Sequence, residues 1–270
     1  MRIKEIFSEQ LSDSLLALLN KHGIKYTVIE LAVPRVYFSL YRDQPCFSVF
    51  AAVSESACRV AAAEYSQAEM NASEWLVFNP KHNRVEIINQ DESFSYTCGS
   101  AEENRFHHRE QVGTIRIASD IKWKPGQYFL ASDTGFSEIY TNKAVVELIA
   151  SSGIKGCRFA DIVDRKGSLC TNTFQLLSDA LLYENSFAFG YGEKTEICPY
   201  CGKKQYYYDG TYQFRIYRSA LKEDVDFYMT PCLFGSGQAE PIYLISKRFY
   251  KLLKDNKMLR NTIVTPAILV

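Results

Sequence analysis

The spacing of apolar residues changes several times along this 270-residue chain, and each change predicts a different element. Leucines recur at helical intervals between residues 8 and 22, where Ser8 is a candidate N-cap and Gly23 stands just past the last turn. Apolar and β-branched residues then alternate with polar ones in IKYTVIEL and RVYFSLY, which is typical of strands. The pattern therefore predicts an opening amphipathic helix followed by two strands.

The next segment combines a helical composition with a hairpin pattern. Residues 51–70 are rich in alanine, which predicts a second helix. After them, WLVF and RVEII stand on either side of the turn-forming stretch NPKHN. Two short apolar runs around such a turn predict a β-hairpin over residues 75–88.

A polar, weakly patterned stretch over residues 89–111 predicts a linker or exposed loop. It divides the chain near residues 95–112 into an N-terminal and a C-terminal part. The pair His107 and His108 lies in this stretch. Neighbours on a strand point to opposite faces, so exposed loop residues are a better interpretation of this pair than a metal site.

Two segments of the C-terminal part share one pattern of apolar residues and caps. EIYTNKAVVELIASSGIKGCRFADI, residues 138–162, aligns without gaps with IYLISKRFYKLLKDNKMLRNTIVTP, residues 242–266. Each copy begins with a short apolar strand and a capping residue, Asn142 or Ser246, and then continues as a helix and a second strand. The two copies are either a duplication or two examples of the strand-helix-strand arrangement that any α/β fold contains.

Matching positions within the two copies predict the same helix end and the same buried face. Gly153 is a candidate left-handed C-cap in the first copy, and Lys257 occupies the equivalent position in the second. The core-facing positions also coincide: they are Val145, Leu148 and Ile149 in the first copy, and Phe249, Leu252 and Leu253 in the second.

Composition restricts the class of protein and its partners. Hydrophobic residues make up 47% of the chain, enough for a sizeable core. The 31 basic and 31 acidic residues balance, so no overall field attracts nucleic acid or anionic lipid, and nonspecific nucleic-acid binding is disfavoured.

No uncharged apolar run reaches about 18 residues, so we predict no membrane span. Charged residues near the N-terminus disfavour a signal peptide, and we expect a cytoplasmic, bacterial protein.

One short stretch, ICPYCGKKQYYYDG, has the spacing of half a zinc knuckle. Cys198 and Cys201 would direct two thiolates at one ion, and Gly202 would let the backbone curl back. We predict these two cysteines as metal ligands and zinc as a structural cofactor. Free thiols are the alternative, and a redox pair would require the first cysteine at a helix N-terminus. A hairpin around Asp209 and Gly210 is expected to follow the knuckle.

The ligands that would complete a zinc site are not evident from spacing. Eight cysteines in a chain without an export signal favour reduced thiols over disulfides. None of the remaining candidates has knuckle spacing, and each would have to reach the ion through space: they are Cys157, Cys170, Cys232 and the two histidines.

The knuckle and the segment 242–266 together resemble the C-terminal part of bacterial polymorphic-toxin immunity proteins, in the branch called double CxxCG motif proteins. The family name implies two knuckles, whereas this chain has one. The resemblance implies a protein that is not an enzyme and that binds a cognate toxin domain and neutralises it. Aromatic residues of YYYDGTYQF would then be interface anchors, with packing inside a sheet as the alternative.

The alternative function is a zinc-ribbon protein that acts on or binds nucleic acid through the lysines and aromatics of CGKKQYYY. No catalytic residues are predicted. We expect an α+β fold, a mixed sheet with flanking helices, in two parts. They are an N-terminal α+β domain over residues 1–95 and a C-terminal α/β domain over residues 112–270, which holds both repeated segments and a knuckle ribbon over residues 196–218.

Overall fold

The computed structural model describes most of the chain, and this part has an α+β fold with mixed sheets and flanking helices. It divides into two compact units, Met1–Glu69 and the described residues from Met70 onward. The described residues are 1–53, 58–83, 85–96, 109–132, 138–188, 194–197, 202, 204–207, 213–231, 233–234 and 241–270.

The first unit is an antiparallel sheet in the strand order β2-β3-β1-β4. Phe7 and Phe38 stack in its core with ring centroids 4.8 Å apart, and Leu15 and Leu19 of α1 pack against the same cluster. The last helix, α3, spans the boundary with the second unit. The elements are β1 (Arg2–Gln10), α1 (Asp13–Lys21), β2 (Tyr26–Ile29), β3 (Arg35–Tyr41), α2 (Phe47–Val53), β4 (Cys58–Glu64) and α3 (Gln67–Ala72).

The opening helix begins later than the apolar spacing predicted. Its cap is Ser12, whose hydroxyl accepts a hydrogen bond from the N–H of Leu15 at 3.2 Å. Ser8 instead lies within β1, where β3 and β4 pair on both sides, so it cannot begin a helix. The strands β2 and β3 and the left-handed conformation of Gly23 (φ 64°) agree with the prediction.

The helix predicted over residues 51–70 is wrong. α2 ends at Val53, and the alanine run belongs to β4. Ala61, Ala62 and Ala63 pair with residues of β1 along an antiparallel ladder. Sheet pairing therefore overrides the intrinsic helix preference of alanine, which is worth less than 1 kcal/mol per residue against most other residue types.

The second unit contains two five-stranded sheets, ordered β11-β12-β10-β9-β6 and β15-β19-β5-β18-β16, with a smaller sheet β13-β14-β17 and a pair β7-β8. Its elements are β5 (Trp75–Pro80), β6 (His82–Asn83), α4 (Gln90–Ser93), β7 (Phe94–Tyr96), β8 (Arg109–Gln111), β9 (Phe129–Ser132), β10 (Ile139–Thr141), α5 (Lys143–Ser152), β11 (Cys157–Val163), β12 (Leu169–Ser178), β13 (Lys194–Ile197), β14 (Lys204–Tyr207), β15 (Arg215–Ile216), β16 (Phe227–Met229), β17 (Leu233–Phe234), β18 (Tyr243–Ser246), α6 (Lys247–Asp255) and β19 (Thr262–Leu269).

The two repeated segments occupy equivalent places in the two large sheets. The first forms β10, α5 and β11, and the second forms β18, α6 and β19. In each copy the two strands are parallel, because both pair antiparallel with one strand inserted between them: β12 in the first copy and β5 in the second. An antiparallel strand, β9 or β16, flanks each copy on the same side. The order β11-β12-β10-β9 therefore matches β19-β5-β18-β16.

The caps predicted for the two copies are present in both. Asn142 accepts a hydrogen bond from the N–H of Val145 at 3.2 Å, and Ser246 accepts one from the N–H of Phe249 at 3.1 Å. The core-facing positions also have the same burial in each copy: the first and third are buried and the second is half-buried. Agreement in caps, burial and strand order favours duplication over two unrelated strand-helix-strand units.

The hairpin predicted over residues 75–88 is not formed. β5 is a central strand with β18 on one edge and β19 on the other, so neither edge is open to the residues that follow it. Ile87 instead forms a bridge with Ile117. β5 belongs to the same sheet as the second copy and lies in the second compact unit, whose residues begin at Met70.

The predicted linker contains short regular elements. α4 and β7 precede its centre and β8 follows it, with β7 and β8 paired antiparallel. Residues 97–108, including His107 and His108, lie outside the described residues.

Candidate functional site

The predicted zinc ligands Cys198 and Cys201 lie outside the described residues, but the strands on either side of them are described. β13 and β14 pair antiparallel, and Ile197 and Lys204 are the last pair before the knuckle. Gly202 has a left-handed backbone (φ 71°), the conformation that the turn after C-x-x-C was expected to need. These surroundings fit one half of a zinc knuckle.

The distant cysteines that the structure describes are poor candidates for further zinc ligands. Burial raises the pKa of Cys170 to about 11, and burial also raises the pKa of Cys157. Burial thus disfavours at both positions the thiolate form that zinc binds. In the described ranges, no group of three or more His, Cys, Asp or Glu side chains is arranged to hold a metal ion. Cys232 lies outside those ranges, and zinc at Cys198 and Cys201 stays a prediction.

The described ribbon is formed by β13 and β14, and Asp209 and Gly210, around which a hairpin was expected, lie outside the described residues. β14 pairs with β13 and with β17. β15, which was expected to return along β14, pairs in parallel with β19 instead. Burial of Ile216 at the edge of that five-stranded sheet accounts for the difference.

Two aromatic residues after the knuckle, Tyr206 and Phe214, pack inside the second unit. Tyr206 and Phe214 are buried against Phe234, with ring centroids 5.5 and 5.2 Å away. Phe187 contacts the same ring at 5.7 Å. For Tyr206 and Phe214 the packing interpretation is therefore right, and these two residues are not exposed interface anchors.

A buried carboxylate connects the two copies of the repeated unit. Asp226, only 4% exposed, accepts hydrogen bonds from the Lys155 N–H at 3.0 Å, the Ser246 hydroxyl at 2.6 Å and Arg248 Nε at 3.1 Å. Arg248 also donates to the Gly153 carbonyl at 3.0 Å. These contacts fasten the residues after α5 to the start of α6.

The protonation of Asp226 follows from the same contacts. Burial on its own would raise the pKa of this carboxyl, but the hydrogen bonds from Arg248, Ser246 and the Lys155 N–H outweigh burial and hold the pKa below its ordinary value. Asp226 is therefore ionised at neutral pH and acts as a structural anion.

A cleft of about 710 Å³, named here the Asp226 cleft, opens beside this carboxylate. Sequence patterns gave no signal for it, because its walls come from segments far apart in the chain. Only Ser246 among its residues was identified beforehand, as a helix cap. The cleft is lined by Glu74, Trp75, Lys155, Arg218, Leu221, Lys222, Glu223, Asp224, Val225, Asp226, Ser246, Lys247, Arg248 and Leu269.

The first unit exposes an apolar edge, named here the β2 edge. β2 pairs with β3 on one side, and no other described strand pairs with it. Its sequence pattern correctly predicted a strand but did not reveal that the strand lies at an edge. Four large apolar side chains in β2 and the turn after it are exposed: Val28 by 39%, Ile29 by 42%, Leu31 by 54% and Val33 by 53%.

Comparisons with protein-family models, with curated proteins and with solved structures give no match to this chain. No helix in the described part is long and apolar enough to cross a membrane. Function is therefore inferred from the residues and geometry of the chain and from the resemblance noted above.

Proposed function

We propose that this protein is an immunity or antitoxin-like protein that binds a cognate toxin domain and neutralises it. It would act in the bacterial cytoplasm, by binding rather than by catalysis. The resemblance of the knuckle and the terminal segment supplies the class of partner. The exposed β2 edge is the observation that supports a protein-binding surface.

The β2 edge has the properties of a strand that receives another strand. Edge strands present unpaired backbone N–H and C=O groups, and natural proteins commonly protect them with lysine, proline or a bulge. Tyr26–Ile29 contains neither lysine nor proline. An extended segment of the toxin domain would pair with β2 as a fifth strand of the sheet.

Charged residues at the two ends of β2 give the expected partner strand a direction. Lys25 precedes the strand and Glu30 follows it, and both are exposed. A toxin segment with apolar side chains at its centre, an acidic residue at one end and a basic residue at the other would complement this pattern. Such complementarity contributes more to specificity and association rate than to affinity.

The knuckle has a structural part in this proposal. Cys198 and Cys201 would hold zinc with ligands that remain to be identified, and the ion would fix the end of the ribbon formed by β13 and β14. Structural zinc sites with four protein ligands contribute directly to folding, so a completed site would stabilise this end of the ribbon.

Nucleic-acid binding by the ribbon has less support. Lys204 is paired with Glu184 at 2.8 Å, so its charge is already partly balanced. Tyr206, which would have to stack on a base, is buried. The described part of the ribbon therefore offers neither a free lysine at position 204 nor an open aromatic face at position 206.

A growth assay tests the proposal. The proposal predicts that a gene beside the one for this chain encodes the toxin domain, which would be expressed in a bacterial host together with the wild-type protein, Leu31→Glu or the control Ile263→Glu. Ile263 lies on β19 of the second unit and is 51% exposed, close to the 54% of Leu31. Ile263→Glu therefore introduces the same charge at an apolar side chain of similar exposure. We expect growth with the wild type and the control and arrest with Leu31→Glu. Arrest with the wild type would refute the proposed function.

A further inference from the structure

The Asp226 cleft contains more cationic groups than its own carboxylates neutralise, and we propose that it binds a phosphate-bearing small molecule. This site is independent of the β2 edge and of the proposed immunity function. Its size, its unpaired charges and its apolar lining each indicate part of the ligand.

Two of the basic residues in the cleft are already neutralised. Arg218 binds Glu74 through two parallel hydrogen bonds of 2.8 and 2.9 Å. Arg248 binds Asp226 through both Nε and Nη2. These pairs hold the walls together, so neither guanidinium is counted as a free charge.

Three lysines of the cleft have no such partner. Lys155 follows α5, Lys222 lies in the loop before β16, and Lys247 begins α6. All three are exposed, and within the described residues none of them forms an ion pair. Ammonium groups from three separate elements that face one cleft form an arrangement suited to phosphate oxygens.

The carboxylates that remain in the cleft are Glu223 and Asp224, both exposed in the loop before β16. They oppose the three ammonium groups, so the unpaired side chains carry a small positive excess. The N-terminal end of the α6 dipole adds to this excess, because the first turn of the helix carries no acidic residue that would offset it. A bound anion would relieve the repulsion between these charges.

The cleft is larger than a bare phosphate ion requires. A volume of about 710 Å³ lies in the range of about 300 to 1,000 Å³ that is usual for small-molecule sites. Trp75, Leu221, Val225 and Leu269 contribute apolar surface to its walls. A ligand with a phosphate group near the lysines and an organic body against these side chains would use both kinds of surface.

Calorimetric titration of the full chain with pyrophosphate and with adenosine diphosphate, at constant ionic strength, tests the proposal. The site variant is Lys155→Gln with Lys222→Gln. The control is Lys143→Gln with Lys251→Gln, two exposed helix lysines that have i,i+4 partners. We expect the site variant to bind at least about tenfold more weakly than the control, because two charge-assisted contacts are lost.

A second variant tests the sign of the charge. Glu223→Gln with Asp224→Asn removes the opposing carboxylates, so it should bind both probes more tightly than the wild type. Tighter binding of adenosine diphosphate than of pyrophosphate would support a ligand with an organic body, and equal binding would support recognition of the phosphates alone. Absence of binding to both probes, or equal binding by the site variant and the control, would overturn the proposal.

Discussion

Asp226 is the residue on which the junction between the two repeated copies depends. Replacing it with asparagine keeps the size of the side chain but puts an amide donor where the carboxylate accepts from Arg248, Ser246 and the Lys155 N–H. We expect Asp226→Asn to lower the free energy of unfolding by about 2 to 3 kcal/mol, measured by urea denaturation. Asp255→Asn, which removes an exposed partner of Lys251, should change it by less than about 0.5 kcal/mol. Equal effects would contradict the role given to Asp226.

The dependence of stability on pH tests the contribution of the same carboxylate. The pKa of Asp226 is lower in the folded protein than its ordinary value, so its contribution to stability is complete above the ordinary value and is lost as pH falls through the folded value. We expect wild-type stability to fall below about pH 4, with a shallower fall in Asp226→Asn. Parallel stability curves for the two proteins over this range would show that Asp226 makes no such contribution.

At the residue scale, local contacts were predictable and distant ones were not. The side chains of Asn142 and Ser246 accept hydrogen bonds from amides three residues ahead. A short segment of sequence is therefore enough to predict both caps. Asp226 depends on Lys155, which lies 71 residues away. Nothing in the spacing of residues indicates that this aspartate is buried or that a cleft opens beside it.

Gly153 and Lys257 occupy aligned positions near the ends of α5 and α6, and the difference between the two residues has an expected effect on stability. Both are left-handed, with φ 72° at Gly153, directly after α5, and φ 57° at Lys257, two residues after α6. A residue with a side chain costs about 1 kcal/mol more than glycine in this conformation. Thermal denaturation should therefore show that Lys257→Gly raises the melting temperature and that Gly153→Lys lowers it. A lower melting temperature for Lys257→Gly would contradict this explanation.

At the element scale, the helices and strands that carry their own signals were predicted, and those that depend on their neighbours were not. The amphipathic pattern of α5 and α6 specifies a helix from local sequence. The alanine run of β4 becomes a strand because β1 pairs with it, against the local helix preference of alanine. β5 was predicted as a strand, but its partners β18 and β19 come from distant segments and not from the next residues of the chain.

The metal site is a property of the whole molecule, because any further ligands must come from distant parts of the chain. We expect about one zinc ion per chain in protein purified without a chelating tag, and loss of that zinc and of thermal stability in Cys198→Ser with Cys201→Ser. Elemental analysis measures the metal directly. Cys46→Ser, in the first unit, serves as the control and should keep it. Equal zinc contents in the double variant and the control would exclude the knuckle as the site.

At the scale of the whole molecule, the fold class followed from the alternation of strand and helix patterns, but the binding surface did not. The pattern TVIELAV predicts a strand equally well at the centre of a sheet or at its edge. Only the strand order β2-β3-β1-β4 identifies β2 as an edge strand with exposed apolar side chains. The proposed interface thus depends on topology, which local sequence does not encode.

Hydrogen exchange of the full chain, with and without the proposed toxin domain, tests the central claim most directly. If the toxin adds a strand to the sheet, the amides of Tyr26–Ile29 that do not bond to β3 gain partners, and exchange across this segment slows in the complex. The strand β19 in the second unit should keep its exchange rates. Unchanged exchange in Tyr26–Ile29 when the complex has formed would contradict strand addition at the β2 edge.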